Sequence, residues 1–291
     1  MKKLLFAFIA LAFVFNACNQ KKFVKSEEGF EYMMVEDEDT KAPTDGNMLI
    51  YDVAYYDEKD SLLFSSKEKG QPVIVKYGEQ RWDESGPFFK ALKLLTPGDS
   101  AVIKMTASDF YTMSMRAPLP ESMTTTSPIF IHLRFEEEMD EEGFQEWQLD
   151  KQETQKQEEL KKIDNYLAEN NIEAQIDEAS GIRYVVTEKG DGAQPQADDS
   201  VVVNYRGKLL DGTQFDSSFE REEPFTFQLG MGRVIPGWDK GIPLYNVGGK
   251  GTIYIPSTMG YGQRGAGGVI PPNSILVFDI EVLDVIESSN N

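Results

Sequence analysis

Short segments rich in β-branched and aromatic residues alternate with turn residues throughout the last third of the chain. Five of these segments predict strands, at residues 201–209, 214–215, 224–229, 251–255 and 275–285. Asp211 and Gly212 separate the first two strands, and this dipeptide supplies the positive φ values of a tight hairpin turn. Residues 235–249 are the one segment between the strands that predicts a short helix. The pattern predicts an α+β fold in which a curved antiparallel sheet wraps around a short helix.

The same pattern occurs once before, in residues 47–138. Two pairs of segments align at one offset, Leu63-Phe64-Ser65-Ser66 with Phe215-Asp216-Ser217-Ser218 and residues 71–78 with residues 223–230. Repetition on the scale of a whole domain predicts two copies of one fold. We therefore expect a first domain at residues 47–138 and a second at residues 179–288.

The first copy is degenerate. Several side chains of the second copy are replaced in the first: Phe64 stands for Asp216, Val53 lies near the position of Tyr205, Val73 stands for Phe225, and Phe88 stands for Trp238. The loop that corresponds to Ile270-Pro271-Pro272 has become residues 113–126, which are rich in Met, Ser, Thr and Pro. Two interpretations stay open for this domain, an inert spacer or a surface that binds polypeptide clients.

Residues 139–178, between the copies, are acidic, rich in Gln, Glu and Lys, and free of proline, which predicts a helix. The apolar residues cluster towards the two ends, and none lies between Asp150 and Glu159. A helix that is polar all round in its middle is typical of a solvated spacer, whereas a coiled coil needs apolar residues throughout. We therefore predict a solvated helical connector.

The N-terminus predicts export from the cytoplasm. Residues 1–17 contain two lysines and then an apolar run too short to span a bilayer, as in a signal peptide. Ala17 before Cys18 resembles the lipobox of bacterial lipoproteins, although Phe15 and Asn16 depart from its commonest form. Lipidation of Cys18 would anchor the protein in the bacterial cell envelope, facing the periplasm and most naturally at the outer membrane. The alternative is an ordinary secretory signal with an incidental cysteine.

Residues 18–46 are polar and acidic and lack apolar periodicity, which predicts a flexible tether. The net charge of −20 argues against a nucleic-acid partner, because phosphates need Lys and Arg to neutralise them. A single cysteine excludes an internal disulfide, and a single histidine argues against a His-based metal site.

One glycine-rich motif matches the pattern of a dinucleotide-binding site, but the sequence after it does not. Gly260-Tyr261-Gly262-Gln263-Arg264-Gly265 satisfies G-x-G-x-x-G, yet glycines and prolines follow where that site needs a helix. We predict no metal and no cofactor.

Several residues of the second copy occur in a characteristic order and spacing: Tyr205, Phe215-Asp216-Ser217-Ser218, Pro224-Phe225, Val234-Ile235-Pro236-Gly237-Trp238, Tyr261-Gly262, Ile270-Pro271-Pro272 and Phe278. Over roughly residues 181–287 the chain resembles the FK506-binding-protein (FKBP) type of peptidyl-prolyl cis–trans isomerase. The resemblance implies that the domain acts on proline-containing polypeptide clients and is blocked by macrolides of the FK506 class. Mip-like members of this family carry a helix that can dimerise, so a homodimer through residues 139–178 stays an open alternative.

The resemblance also implies a cleft and a role for each residue in it. The cleft would be lined by Tyr205, Phe215, Phe225, Val234, Ile235, Trp238, Tyr261, Ile270 and Phe278. Trp238 would form the floor under the proline ring, while the Ile235 N–H and the Tyr261 hydroxyl would hold substrate carbonyls. Asp216 would lie at the rim, where it would act on the twisting carbonyl or brace Tyr205 and Arg221. By this resemblance Asp216, Tyr261 and Tyr205 are the predicted catalytic residues.

The aromatic residues could equally form an ordinary hydrophobic core. Asp216 and Tyr261 distinguish best between a binding site and such a core, because core packing alone has no use for a carboxylate or a phenol. Rotation about an X–Pro bond needs no nucleophile, because the barrier comes from amide resonance. The planar amide is more dipolar than its twisted transition state, so a water-poor cleft favours the twisted form. Three hypotheses remain, an isomerase for extracytoplasmic proteins, a client-binding chaperone, and a non-catalytic lipoprotein scaffold. The intact cleft residues favour the first.

Overall fold

The computed structural model describes residues 22–38 and 40–288. The chain divides into two compact units, Met1–Glu146 and Trp147–Asn291, hereafter unit 1 and unit 2. Within the described ranges, each unit contains a seven-stranded antiparallel sheet. The predicted signal peptide and Cys18 lie outside the described residues. In the part of the chain that is described, no helix is both long enough and apolar enough to cross a membrane.

Unit 1 begins with seven strands and two short helices. The strands are β1 (Val24–Lys25), β2 (Glu31–Glu36), β3 (Met48–Tyr56), β4 (Leu62–Ser65), β5 (Val73–Lys76), β6 (Ser100–Thr106) and β7 (Pro128–Met139). The helices are α1 (Glu79–Asp83) and α2 (Pro87–Leu92), and a π-helical segment spans Ser108–Ser114. The strand order is β1-β2-β6-β7-β3-β4, with β5 paired to β3. A long helix, α3 (Glu141–Glu169), follows.

Unit 2 repeats this arrangement. Its strands are β8 (Gln175–Ile176), β9 (Arg183–Glu188), β10 (Ser200–Leu209), β11 (Gln214–Ser217), β12 (Phe225–Gln228), β13 (Lys250–Ile255) and β14 (Leu276–Ile286). Its short helices are α4 (Ser218–Arg221) and α5 (Pro236–Gly241), with 3-10 turns at Ile242–Leu244, Ser257–Met259 and Gly262–Arg264. The strand order is β11-β10-β14-β13-β9-β8, with β12 paired to β10.

The two units share one topology and one register. The long β3–β7 pair shifts register between Ile50 and Tyr51, and the β10–β14 pair shifts between Val202 and Val203, at matching positions of the repeat. Because a shift of one residue turns every later side chain to the other face, a shared irregularity marks the same structural design. The predicted α+β fold and its presence in two copies are confirmed.

An equivalent hydrogen bond is made by the third strand of each unit, β3 in unit 1 and β10 in unit 2. The Ser66 hydroxyl accepts from the Val53 N–H at 2.9 Å, and the Ser218 hydroxyl accepts from the Tyr205 N–H at 2.9 Å. Val53 therefore occupies the position of Tyr205, as the sequence predicts.

The five predicted strands of unit 2 correspond to β10–β14, with ends that differ by one or two residues. The predicted helix at residues 235–249 is shorter than expected: α5 is followed by a 3-10 turn and then by a turn in which Gly248 has a φ of +84°. Strands β8 and β9 were not predicted, although the family resemblance begins near residue 181.

Residues 24–36 are part of the sheet of unit 1, so the prediction of a flexible tether for residues 18–46 is wrong for this segment. Strand β2 pairs with β6, and Phe30 is only 3% exposed in the core of the unit. Tyr32 and Met34 pack against the same core from alternate positions of β2. The alternation of apolar residues in β2 is short and is flanked by charged residues, which is why the strand was not predicted.

The second half of α3 packs against unit 2, so the prediction of a solvated spacer is wrong for that half. Leu160, Ile163 and Leu167 are buried on one stripe of the helix, at i, i+3 and i+7. They form a small core with Tyr254 of β13, Val277 of β14 and Ile275, which directly precedes β14. Three apolar positions are enough to dock a helix whose remaining surface is polar.

Candidate active site

Strands and short helices of unit 2 bring the predicted aromatic residues to one face of the sheet. They come from separate elements: Tyr205 from β10, Phe215 from β11, Phe225 from β12, Trp238 from α5 and Phe278 from β14. On a strand alternate side chains share a face, which is why Tyr205 and Gly207 lie on the same side of β10. The structure therefore brings together the aromatic residues that the family resemblance places in the cleft.

Trp238 lies at the centre of the aromatic group and is 4% exposed. Its ring meets Tyr205 at 5.0 Å and Phe278 at 5.3 Å between centroids, each close to edge-on. Phe227 at 5.5 Å and Phe225 at 5.9 Å complete its surroundings. Edge-to-face contacts of this kind stabilise an aromatic cluster beyond the area that it buries.

The start of α5 determines where Trp238 lies. Ile235 is the N-cap in an extended conformation, and Pro236 occupies the first helical position, where its fixed φ suits the helix. A Cβ on Gly237 would lie 2.4 Å from the Ile255 side chain, so only glycine allows the helix to approach β13 this closely. The indole Nε1 is buried and has no hydrogen-bond partner among the residues that the structure describes.

Gly207 makes room for one wall of the cleft. A Cβ at this position would lie 2.5 Å from the Phe215 ring and 2.9 Å from the Phe278 ring. Those two rings meet edge-on, with centroids 5.6 Å apart. The wall therefore depends on a residue without a side chain, and this role of Gly207 was not predicted.

Unit 1 has a tyrosine in the corresponding place. The β3–β4 pairing sets Tyr55 opposite Phe64, as the β10–β11 pairing sets Gly207 opposite Asp216. The Tyr55 ring stacks on Phe64 at 5.1 Å and contacts Phe110 at 4.9 Å. In unit 1 aromatic side chains thus replace both the glycine and the acid, and the degeneracy predicted for the first copy is confirmed.

Asp216 lies at the rim, where both of its carboxylate oxygens accept hydrogen bonds. The Tyr205 hydroxyl donates to Oδ2, while the Arg221 guanidinium and the Ser217 N–H donate to Oδ1, the latter at 2.8 Å. Arg221 also donates to the Tyr205 hydroxyl at 2.8 Å and lies over the Tyr205 ring at 5.6 Å. The three residues form one closed network that ties β10, β11 and α4 together.

The network affects the pKa of each member. Burial by itself would raise the pKa of Asp216, but hydrogen bonds from Tyr205 and Arg221 outweigh it, so the pKa lies below its ordinary value. Burial, and then the hydrogen bond to Asp216, raises the pKa of Tyr205. Burial and the nearby charge of Asp216 raise the pKa of Tyr261. At neutral pH the site therefore contains one carboxylate, one guanidinium and two neutral phenols.

The outer wall of the cleft comes from the chain between β13 and β14. Tyr261 is 40% exposed, whereas Ile270 is 6% exposed and pairs with Ala266 in an isolated bridge. Val234 and Ile235 are half-buried and pack against the core of the unit. The roles assigned to these residues and to Asp216 stay predictions.

Phe227 also belongs to the aromatic group, although it was not predicted. It lies two residues after Phe225 on β12, its ring stacks on Phe225 at 5.8 Å, and it is 5% exposed. The alternation of a strand would have placed it on the face of Phe225. No group of three or more His, Cys, Asp or Glu residues within residues 22–38 and 40–288 is arranged to hold a metal ion.

Comparisons with known proteins match the part of the chain that forms this cleft. Residues 192–283 match the family model described as FKBP-type peptidyl-prolyl cis-trans isomerase. An FK506-binding protein of Neisseria meningitidis serogroup A is 49% identical over 100 residues, which are 34% of this chain and 92% of that protein. The chain belongs to the FKBP-type peptidyl-prolyl cis–trans isomerase family. We call the matched residues 192–283 the FKBP domain.

Longer FKBP relatives match over the same region. FkpA of Escherichia coli K12 is 50% identical over 107 residues, 37% of this chain and 38% of that protein. The chain covers 39% of a probable FkpA from Neisseria meningitidis serogroup B and 46% of FkpA from Aeromonas hydrophila, less than half of each. The crystal structure of FkpA from Escherichia coli is 38% identical and covers 51% of this chain and 72% of that chain, with a TM-score of 0.40.

Proposed function

We propose that this protein is a peptidyl-prolyl cis–trans isomerase whose FKBP domain rotates X–Pro bonds in polypeptide clients. The observation that carries the proposal is the aromatic cleft around Trp238, with the Asp216–Tyr205–Arg221 network at its rim. Family membership supports the same activity. A client-binding chaperone and a non-catalytic scaffold are the alternatives.

The cleft suits a reaction that makes and breaks no covalent bond. The barrier of about 18–20 kcal/mol comes from amide resonance, and a planar amide is more dipolar than a twisted one. An apolar floor of aromatic rings therefore stabilises the twisted amide relative to the planar one. In this proposal the proline ring rests on Trp238, and Phe225, which is 38% exposed, lies at the entrance.

In this proposal two hydrogen-bond donors hold the peptide beside this floor. The N–H of Ile235 belongs to the N-cap of α5 and precedes the first intrahelical donors, so it is available to a substrate carbonyl. Tyr261 stays protonated at neutral pH because its pKa is raised, and its exposed hydroxyl can donate to a second carbonyl. Asp216 either acts on the twisting carbonyl or orients Tyr205 and Arg221.

We further propose that macrolides of the FK506 class occupy the same cleft and compete with clients. Two similar proteins, from Neisseria meningitidis and Dictyostelium discoideum, are named FK506-binding proteins, and the second is 46% identical over 103 residues. Binding of such a ligand would bury the exposed parts of Phe225 and Tyr261.

A lipid anchor at Cys18 and a place in the bacterial cell envelope, facing the periplasm, complete the proposal. Its support is the apolar run before Ala17 and Cys18. Expression of Cys18→Ala in a bacterium tests it: the variant should leave the membrane fraction and lose incorporated fatty acid. Wild-type protein without incorporated fatty acid would refute the anchor.

Unit 1 has one feature that favours client binding over a spacer. Several of its apolar side chains are exposed, including Met113 at 57%, Met115 at 40% and Leu62 at 40%. Methionine adapts to varied apolar partners. Dimerisation through α3 stays an open alternative, which analytical ultracentrifugation tests, although its stripe of Leu160, Ile163 and Leu167 is already buried within unit 2.

The isomerase proposal is tested on the full chain with an X–Pro peptide whose cis–trans exchange is followed directly. Exchange should accelerate, and an FK506-class macrolide should block it. Trp238→Leu should lower kcat/KM by about tenfold or more, because it removes the cleft floor. Phe88→Leu, at the matching position of unit 1, is the control and should leave kcat/KM unchanged. Exchange no faster than in buffer, from a folded chain, would favour the chaperone or the scaffold.

A further inference from the structure

Helix α3 places a buried carboxylate against the loop that follows β13. Glu159 is 3% exposed, and it lies one residue before Leu160 on the docked half of the helix. Burial of a carboxylate is costly unless hydrogen bonds satisfy its oxygens. The identity of its partners therefore indicates why an acid is present at this position.

Three donors satisfy Glu159. The Ser257 N–H donates to Oε2 at 2.5 Å, and the Ser257 hydroxyl donates to Oε1 at 2.7 Å. The side-chain amide of Gln155, one helical turn earlier, donates to Oε1 at 3.0 Å. Hydrogen bonds to a charged acceptor are stronger than neutral ones, so this contact holds Ser257 firmly.

Gln155 also reaches the far end of the same loop. Its amide nitrogen donates to the Asn273 side-chain oxygen at 2.9 Å and lies 3.1 Å from the Ser257 hydroxyl. The Asn273 N–H in turn donates to the Gly262 carbonyl at 2.8 Å, next to Tyr261. Two side chains at i and i+4 of α3 thus contact both ends of residues 257–273.

Residues 257–273 carry two residues of the candidate site, Tyr261 and Ile270. The segment contains five glycines, four of which have positive φ, and its helical turns are short. Glycine leaves the backbone free to adopt many conformations, so contacts from outside the segment are needed to restrict it. The contacts from α3 meet this need at both ends.

We propose that Glu159 and Gln155 are positioning residues for the isomerase: they hold the loop 257–273 so that Tyr261 and Ile270 face the cleft. The inference rests on the proposed function only for its catalytic consequence. Docking of α3 is supplied separately by Leu160, Ile163 and Leu167, which are buried against the sheet. Removal of the carboxylate should therefore loosen the loop more than it loosens the helix.

The first measurement is hydrogen exchange of the full chain, read by mass spectrometry. Glu159→Gln should speed exchange in residues 257–273 by about tenfold, because a charge-assisted hydrogen bond is lost. Exchange in β10 should not change. Glu158→Gln is the matched control, since Glu158 is the exposed neighbour on the same helix. Unchanged loop exchange in a folded Glu159→Gln chain would overturn the proposal.

The second measurement separates positioning from general stability. In the wild-type background Glu159→Gln should lower kcat/KM for an X–Pro peptide by about tenfold. In a Tyr261→Phe background the same substitution should cause little further loss, because both changes remove one contribution. Additive losses would mean that Glu159 does not act through Tyr261.

A second variant and the exchange measurement by itself cover the cases in which Glu159→Gln does not fold or the wild-type chain is inactive. If Glu159→Gln does not fold, Gln155→Ala takes its place, because it removes the contact to Asn273 and leaves the carboxylate bonded to Ser257. If the wild-type chain shows no isomerase activity, the proposed function fails, and loop exchange alone still decides whether α3 holds the loop.

Discussion

Replacement of Asp216 by valine separates the two roles that this carboxylate can have. Valine suits β11 and has no acceptor, so the substitution removes the hydrogen bonds from Tyr205, Arg221 and the Ser217 N–H together. Arg221 keeps its hydrogen bond to the Tyr205 hydroxyl. The perturbation is therefore local to the rim of the cleft.

The expected loss of stability is small. The side chains of Asp216 and Arg221 are 41% and 47% exposed, so their ion pair contributes only about 0.5–1 kcal/mol. The hydrogen bond from the more buried Tyr205 adds about 1–1.5 kcal/mol. A total of roughly 2 kcal/mol should lower the melting temperature of a unit of this size by about 4–8 °C.

The expected loss of activity is larger if the charge assists rotation. A charge-assisted interaction that is made only in the transition state is worth about 1.5–3 kcal/mol, which corresponds to about one to two powers of ten in rate. The assay is the X–Pro exchange rate at a temperature where the variant is fully folded by circular dichroism. We predict a loss of this size for Asp216→Val.

A comparison with Tyr205→Phe then distinguishes action on the amide from bracing. Tyr205→Phe removes only the hydroxyl. If Asp216 acts by bracing Tyr205, this variant should reproduce most of the loss, and the double variant should be no slower than Asp216→Val. If Asp216 acts on the amide, the two losses should add. We expect them to add.

The control is Asp279→Val. Asp279 accepts from the Thr252 hydroxyl at 3.0 Å and pairs with Lys208 at 2.6 Å. It follows Phe278 on β14, so its side chain points to the opposite face of the sheet from the cleft. It should show a similar stability loss with unchanged turnover. A folded Asp216→Val variant with wild-type turnover would refute any catalytic role for Asp216.

Four further predictions test the cleft, the domain limits and the pH response. Gly207→Ala should cost about 1–3 kcal/mol in thermal unfolding and weaken macrolide binding, because its Cβ would overlap the Phe215 ring; an unchanged melting temperature would contradict this. In denaturant, a fragment of residues 180–291 should be less stable than residues 147–291 by roughly 3–6 kcal/mol, since it loses the apolar stripe of α3; equal midpoints and slopes would show that α3 does not stabilise unit 2. A fragment of residues 47–138 should unfold more readily than residues 22–140, because it lacks β2 and Phe30, and neither should show macrolide-sensitive activity. The pKa of Asp216 is lower in the folded protein than its ordinary 3.8, so its ion pair stabilises the protein above pH 3.8. This stability is lost as the pH falls through the pKa that Asp216 has in the folded protein. Turnover should therefore be flat between about pH 5 and 8, and a decline inside that range would indicate another titrating group.

The sequence by itself determined the fold class of each unit and named most of the aromatic residues that the structure brings together in the candidate site. Strand alternation and the turn at Asp211 and Gly212 are local signals, so they predicted β10–β14 to within two residues. The repeat offset placed Val53 at the position of Tyr205, which the matching serine hydrogen bonds confirm. Residues in the order and spacing of one family were sufficient to name the candidate site residues, whose roles stay predictions.

The tertiary structure alone decided how these elements are completed. Strand β2 forms because it pairs with β6, about seventy residues later, and its short alternation among charged residues has no meaning without that partner. Likewise, α3 looks like a solvated spacer in sequence, because its three apolar residues form a docking stripe only when Tyr254, Ile275 and Val277, from β13 and around the start of β14, pack against them.

Two details of the candidate site also depended on distant contacts. Gly207 matters because the rings of Phe215 and Phe278 approach it, and Glu159 matters because Ser257 lies beside it, 98 residues further along the chain. Local periodicity specifies which face a side chain takes, but close approach and hydrogen-bond partnership arise only when separate segments pack together. For that reason the sequence could name most of the cleft but not the residues that make room for it or hold its loop in place.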